Sequence, residues 1–440
     1  MGVWRRERTR VGGAQLAPTT WPAVDCRIGR SGFTWGSVSL LGVGSRFTIP
    51  RFSRGTVNML LRAAHDTLER MATGFRALTI TGPRQSGKTT LSKAAFPRKP
   101  YVSLEAADER AFASHDPRGF LARFPDGAII DEAQWVPDLF SYIQTLVDED
   151  QRPGRFVLTG SQNFGLLARI TQSLAGRVAI LHLLPLSMGE LRAGGVALRD
   201  IDEWLYRGFY PALYRGTIDP SDWHAAYVTT YLERDVRQIT NVHDLGSFQR
   251  FLALCAARTG QLLNIASLAS DCAIAQSTAR AWLGVLEASY VLHLLQPHHA
   301  NLGKRLVKTP KLYFHDVGLA AFLIGIQDAK QLSTHPARGA LFETFVIGEF
   351  LKYRFNAGLR SNLYFWRDNI GTEVDALVED PRGLFPIEIK SGRTYQDEFV
   401  RSLRLFSNYA GARAFGAGLV YGGDDSYSRQ GVTVRSWRDL

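Results

Sequence analysis

The sequence predicts an α/β protein made of a parallel-sheet core, a helical middle and a second, smaller α/β unit. Three observations carry this expectation. A short apolar stretch, Ala77 to Thr81, runs into a glycine-rich loop and then a helical pattern. Between Trp223 and Gly260 apolar residues recur at helical spacing. Near the C-terminus, Glu373 to Val378 and Pro386 to Lys390 alternate charged and apolar residues about a turn at Asp380-Pro381-Arg382-Gly383, which reads as paired strands. At 440 residues the chain is too long for one core and fits two to four domains of roughly 100 to 200 residues.

Residues 1–58 carry nine arginines against Glu7 and Asp25, so +7 of the net charge of +11 lies there and the remainder of the chain holds +4. That distribution removes the high isoelectric point as an argument for a nucleic-acid surface on the folded part. The segment is rich in Gly, Ser, Thr and Pro, lacks the apolar stretch of a secretory signal, and reads as a disordered basic arm or an over-extended start. Cys26, Cys255 and Cys272 have no paired spacing and no nearby histidines, which disfavours disulfides and structural zinc and fits a cytoplasmic location. The most apolar runs are interrupted by His182, Pro185 or Arg192, so no membrane span is expected.

From Met59 the apolar Leu60, Leu61, Ala64 and Leu68 fall at helical spacing, and the strand Ala77 to Thr81 follows. It feeds Gly82-Pro83-Arg84-Gln85-Ser86-Gly87-Lys88-Thr89, with a helix expected from Thr90, which is the context of a phosphate-binding loop. In such a loop backbone amides wrap the phosphates, Gly87 permits close approach, Lys88 supplies a point charge, and Thr89 offers its hydroxyl to Mg²⁺. ATP and Mg²⁺ are the expected ligands. Forty-three residues after Lys88, an apolar strand ends in Asp131-Glu132, the first to hold the magnesium water shell and the second to polarise attacking water. A third strand, Phe156 to Thr159, ends in Gly160-Ser161-Gln162-Asn163, where Asn163 or Thr159 can sense the γ-phosphate. Fourteen residues further, Arg177 stands where an arginine finger would reach the nucleotide of a neighbouring subunit in a homo-oligomer. Capping a helix or pairing with an acid of its own chain explains Arg177 equally.

On these motifs the chain resembles the AAA+ superfamily, in particular a large group of archaeal and bacterial ATPases with the patterns GPRQSGKTTL, DEAQ, LTGSQN, SLAGR and GGYP. The resemblance runs from about Met59 to the C-terminus. It implies a P-loop AAA+ parallel-sheet core over residues 59–204, a helical lid with a winged-helix region over 205–335, and ATP hydrolysis. In the family the last pattern belongs to the lid, with its proline near the nucleotide base. Here it reads Gly208-Phe209-Tyr210-Pro211, so the second glycine is replaced and Pro211 is carried over as a contact. A turn with a buried proline is the alternative.

The segment Tyr231 to Val236, shared with the family, offers Glu233, Arg234 and Asp235 as couplers of lid to core or as a solvated helix face. Helical patterns at Phe248 to Arg258, after Asn264, and at Ser277 to Ala288 precede strands at Tyr290 to Leu295 and Lys311 to Phe314, with basic Lys304 to Lys308 between them. This is the rhythm of a winged helix. A DNA partner would be held by Arg280, Lys304, Arg305, Lys308 and Lys311. Arg280 alone on the presumed recognition helix is sparse for base readout, and docking onto protein is the alternative. His298 and His299 are expected to be exposed.

The final unit, 336–440, opens with a helix that carries Glu343. Period two puts Glu388 and Lys390 on one strand face, and Asp375 can share that side. A helix carboxylate, an aspartate and then Glu-x-Lys on the next strand is similar to the PD-(D/E)XK nuclease fold. The resemblance implies that Glu343, Asp375 and Glu388 bind Mg²⁺ while Lys390 positions or activates water for attack on DNA. The alternative is a hairpin with one solvated charged face. For the whole chain the rival is a regulatory ATP-switch scaffold that works through protein contacts.

Overall fold

The computed structural model describes residues 60–161, 174–196, 200–232, 244–298 and 308–440. The expected arm, Met59, Asn163, Glu233, Arg234, Asp235, His299, Lys304 and Arg305 lie outside the described residues. The first unit is a wholly parallel sheet of β1 (Ala77–Thr81), β2 (Tyr101–Ser103), β3 (Ile129–Asp131), β4 (Phe156–Gly160) and β5 (Val178–His182), ordered β2-β3-β4-β1-β5. Ala77, Phe156 and Leu158 join a layer with Phe120, Phe140 and Ile143, whereas Leu78, Ile80 and Val157 join Leu68 and Leu91 on the other face. Both faces are therefore buried, as a parallel sheet between helices requires.

Two helix starts differ from the sequence expectation. The helix expected from Met59 begins only at His65, because Ala63 and Arg62 just before it are turned to hold the Glu190 carboxylate. The helix expected from Thr90 begins at Lys88, since Gly87 at φ 92° turns the loop directly into it.

In the C-terminal unit β8 (Leu363–Arg367), β9 (Glu373–Asp380) and β10 (Gly383–Lys390) form an antiparallel meander. The helix Arg401–Ala410 then crosses to β11 (Gly418–Tyr421), which runs parallel to β10, as a parallel partner needs a crossover. With β12 (Tyr427–Arg429) and β13 (Val432–Ser436) the order is β12-β13-β11-β10-β9-β8. The helices Arg338–Asn356 and Arg401–Ala410 both pack on β10. Asp375 and Glu388 are buried, so a solvated charged face is not what this hairpin presents.

Between the sheets, helices Leu245–Ala257, Ile265–Asp271 and Gln276–Ala288 precede the antiparallel pair β6 (Leu292–Leu295) and β7 (Lys311–Phe314), with Leu262 bridging to Lys311. Asn264 caps the second of these helices by accepting from the Ser267 amide. Arg280 and Lys308 are exposed. Two expectations are corrected. Lys311 is 2% exposed and cannot face a DNA backbone, because Glu343 and Glu373 draw its ammonium inward. His298 is buried, since its amide donates to the Phe365 carbonyl at 2.8 Å and this segment covers the edge of β8. A single apolar cluster runs from Leu186 and Phe209 through Trp282 and Phe314 to Phe345 and Ile387, joining all three units. Among the described residues no helix is long and apolar enough to cross a membrane.

Candidate functional site

Three strands deliver the site at their carboxyl ends, where an open parallel sheet forms its ligand crevice. β1 leaves at Gly82, which lies so close to Leu183 that a Cβ would come within 2.1 Å of its carbonyl oxygen. Gln85 at φ 62° and Gly87 at φ 92° curl Pro83, Arg84 and Ser86 into a compact loop over the helix that begins at Lys88. The Lys88 ammonium sits inside that loop and donates to the carbonyls of Gly82 at 3.0 Å and Pro83 at 2.8 Å. Arg84 lies 3.9 Å from Glu105, and Thr90 is half-buried on the first helical turn.

Thr89 Oγ1 donates to Asp131 Oδ2 at 2.8 Å, tying the loop to the tip of β3. Tyr101 donates its phenol to the same oxygen at 2.8 Å, and the Thr159 hydroxyl donates to the other. Burial and then this hydrogen bond push Tyr101 up to about 12, so it remains a donor at neutral pH. A hydroxyl and a carboxylate side by side against a phosphate-binding loop fit Mg²⁺, which takes few protein oxygens and keeps several waters. Glu132 follows at φ 54°, an uncommon conformation for a residue with a side chain and one that clusters at functional sites. Its Oε2 accepts from Ser161 at 3.1 Å and from the Gln134 amide. The chain beyond Ser161, with Asn163, lies outside the described residues.

Pro211 is brought to the loop: a Cβ at Gly87 would stand 4.0 Å from its Cγ. Phe209, where the family has glycine, is buried between the rings of Trp204 and Phe345. Arg177 is placed elsewhere. It precedes β5, whose first residue pairs with the start of β1, so it lies at the amino edge of the sheet, about 16 Å of strand from its own loop. There it pairs with Asp148.

Sequence reasoning missed the groups that brace the loop. Arg62 donates to the carbonyls of Ser86 at 2.6 Å and Leu184 at 2.7 Å, and its Nε lies 2.9 Å from Glu190. Glu190 belongs to a capping box with Ser187, and that spacing was the one readable signal. In the same turn the Met188 amide donates at 2.9 Å to Glu349 of the C-terminal helix. A second junction meets the end of β1: the Thr81 hydroxyl lies 2.6 Å from the Tyr290 phenol and 3.1 Å from His182 Nδ1.

In the C-terminal unit Lys390 Nζ lies 2.6 Å from Glu388 and 3.2 Å from Asp375, Ser402 donates to Glu388 at 2.8 Å, and the Ile389 amide donates to Asp375 at 2.8 Å. Burial and then the Asp375 charge push Glu388 up to about 8. Burial works against the Lys390 charge, yet Asp375 and Glu388 outweigh it and hold Lys390 above its ordinary range. Glu343 is engaged separately, accepting from Lys311 at 3.0 Å and from the Tyr313 hydroxyl. Burial and then Asp375 push Glu343 up to about 7. Among the described residues only His65, Asp66 and Glu69, on one helix, bring three ligand atoms within 4.8 Å of one another. Glu343, Asp375 and Glu388 therefore do not fit a divalent cation in this arrangement, because ammonium groups stand among them.

The parallel sheet, the loop around Lys88 and the Thr89–Asp131 contact define a P-loop nucleotide-binding module of the AAA type, and residues 74–192 match the family model described as an AAA domain. Residues 198–330 and 338–440 match two domains of unknown function, DUF8612 and DUF4143. The chain belongs to the family of the uncharacterized proteins Mb2031c of Mycobacterium bovis and Rv2008c of Mycobacterium tuberculosis. It is 34% identical to each over 403 residues, which span 89% of this chain and 87% of theirs. Among solved structures it is similar to the Walker-type ATPase PABY2304 of Pyrococcus abyssi, at 15% identity and a TM-score of 0.41, over 59% of this chain and 94% of that one.

Proposed function

We propose that this chain binds and hydrolyses Mg-ATP, with a core at 59–204, a lid and winged-helix-like region at 205–335 and an effector unit at 336–440. The observation that carries the reading is the Thr89–Asp131 contact at 2.8 Å beside a loop that already encloses the Lys88 ammonium. Lys88 and the amides of Gly82 to Thr90 hold the phosphates, and Thr89 and Asp131 hold Mg²⁺, which neutralises phosphate charge. Glu132, kept beside Asp131 by Ser161 and Gln134, orients and polarises water. Asn163 senses the γ-phosphate and Pro211 contacts the base. Arg177 is assigned the finger role in trans, in a homo-oligomer: at the amino edge of its own sheet it is distant from its own loop and 33% exposed, and it must leave Asp148 to reach a neighbouring copy.

The output is assigned to Glu343, Asp375, Glu388 and Lys390 acting on DNA, which requires that Lys311 first release Glu343. A second reading, a switch that acts on protein partners without nuclease activity, is favoured by the engagement of Glu343 with Lys311 and by the single exposed base, Arg280, on its helix. Steady-state ATP turnover decides the core claim. Lys88→Ala should lose nucleotide binding, whereas Glu132→Gln should keep binding and lose turnover by about 10² to 10⁴, the usual contribution of a general base. Unchanged turnover in Lys88→Ala would sink the reading. DNA cutting that disappears with Lys390→Ala separates the two outputs.

A further inference from the structure

We infer that Lys311 serves as an internal counter-cation that closes the C-terminal carboxylates to divalent metal while the middle unit is docked, so that docking and metal binding exclude one another. This rests on the reading of Glu343, Asp375 and Glu388 as the C-terminal site. Lys311 belongs to β7 of the middle unit, yet its ammonium reaches Glu343 on the helix Arg338–Asn356 and Glu373 on β9. Tyr313, two residues along the same strand, donates to the same Glu343 oxygen. Gly260, also of the middle unit, lies against that carboxylate: a Cβ there would meet Glu343 Oε2 at 3.5 Å, an ordinary packing contact.

Charge explains why the two states compete. Glu343, Glu373, Asp375 and Glu388 are offset here by Lys311, Lys390 and Arg367, the last 2.8 Å from Glu373. Buried charges are tolerated when paired, and four carboxylates against three cations leave at most one negative charge in excess to attract a dication. Withdrawal of Lys311 leaves Glu343 without its cation and Glu373 with Arg367 alone, beside Asp375, an oxygen-rich space of the kind hard divalent cations take. The withdrawal separates the Thr259 and Thr344 hydroxyls, now 2.8 Å apart, and moves the hairpin whose preceding residue, Tyr290, touches Thr81 at the mouth of the nucleotide loop.

The test is equilibrium Mn²⁺ binding to the full chain without nucleotide, read by the spin resonance of free Mn²⁺. It compares wild type, Lys311→Met, and Lys311→Met combined with Asp375→Asn. Lys311→Gln, which keeps a donor to Glu343, replaces the methionine variant if circular dichroism shows that it does not fold. The expected result is one Mn²⁺ site in the Lys311 variant, about tenfold or more tighter than in wild type, a difference of about 1.4 kcal/mol or more, and lost again with Asp375→Asn. Equal, Asp375-dependent binding in wild type and variant overturns the counter-cation role and leaves the metal-site reading standing. No Asp375-dependent binding in any variant overturns both.

Discussion

His315 and His224 are sealed in the interior, and in each Nδ1 has no hydrogen-bond partner among the described residues. Burial lowers the pKa of both, and the nearby His293 ring lowers His315 further. His293 is itself pushed down to about 4 by burial. A histidine whose folded pKa lies below the ordinary 6.5 binds fewer protons folded than unfolded in that window. Stability from these residues is complete above about pH 6.5 and is lost as pH falls toward the folded values, at about 1.4 kcal/mol per pH unit for each group. Glu388 has the opposite sign: raised to about 8, it favours the fold at low pH and loses that contribution as pH rises through 8. Comparing variants isolates the histidine part. His315→Phe should show a shallower fall in melting temperature from pH 6.5 to pH 4.5 than wild type, and an unchanged slope would refute the assignment. The convergence of Lys88, Thr89 and Asp131 was legible in the sequence because a strand, loop and helix in local order place them at one end of the sheet. Arg62, Tyr101 and Lys311 were not, because an arginine, a tyrosine or a lysine acquires its meaning only from partners distant in sequence.

Elements were legible where one local pattern sufficed. β1 and β7 fall where the apolar spacing puts them, at Ala77–Thr81 and Lys311–Phe314. The helix before β1 starts late because a tertiary contact overrides its periodicity: the turn at Arg62 and Ala63 converges on Glu190. That turn sets the loop. Arg62→Met removes three donor contacts and leaves the Glu190 carboxylate buried, and breaking a buried pair in this way costs about 3–5 kcal/mol. We expect a lower melting temperature and a smaller stabilisation by ATP, since the Ser86 and Leu184 carbonyls lose their common clamp. Arg62→Lys should recover only part, as one ammonium cannot reproduce the guanidinium fork. Differential scanning fluorimetry with and without ATP reads both effects. An ATP-induced shift equal to wild type in Arg62→Met would show that the clamp does not act on the nucleotide loop.

At the scale of the whole molecule, the boundaries between units were less legible than the units, because apolar residues do not announce which neighbour they serve. The helix Arg338–Asn356 buries Phe342, Phe345 and Val346 in the cluster shared with the middle unit. Segment 338–440 expressed alone should therefore expose this face, bind hydrophobic dyes and aggregate. A soluble fragment with a cooperative melt would show instead that the shared core is dispensable. The edge of β8 points the same way, for its Phe365 amide and carbonyl are satisfied by Gln296 and by the His298 amide. The edge cover has a consequence for descent. A recombination that joined a foreign C-terminal unit after residue 337 would inherit a hairpin shaped for another partner, leaving Lys311 and Tyr313 without their glutamate. The last two units should thus pass through gene rearrangements as one heritable block, and the pairing of position 311 with 343 should be kept or lost together.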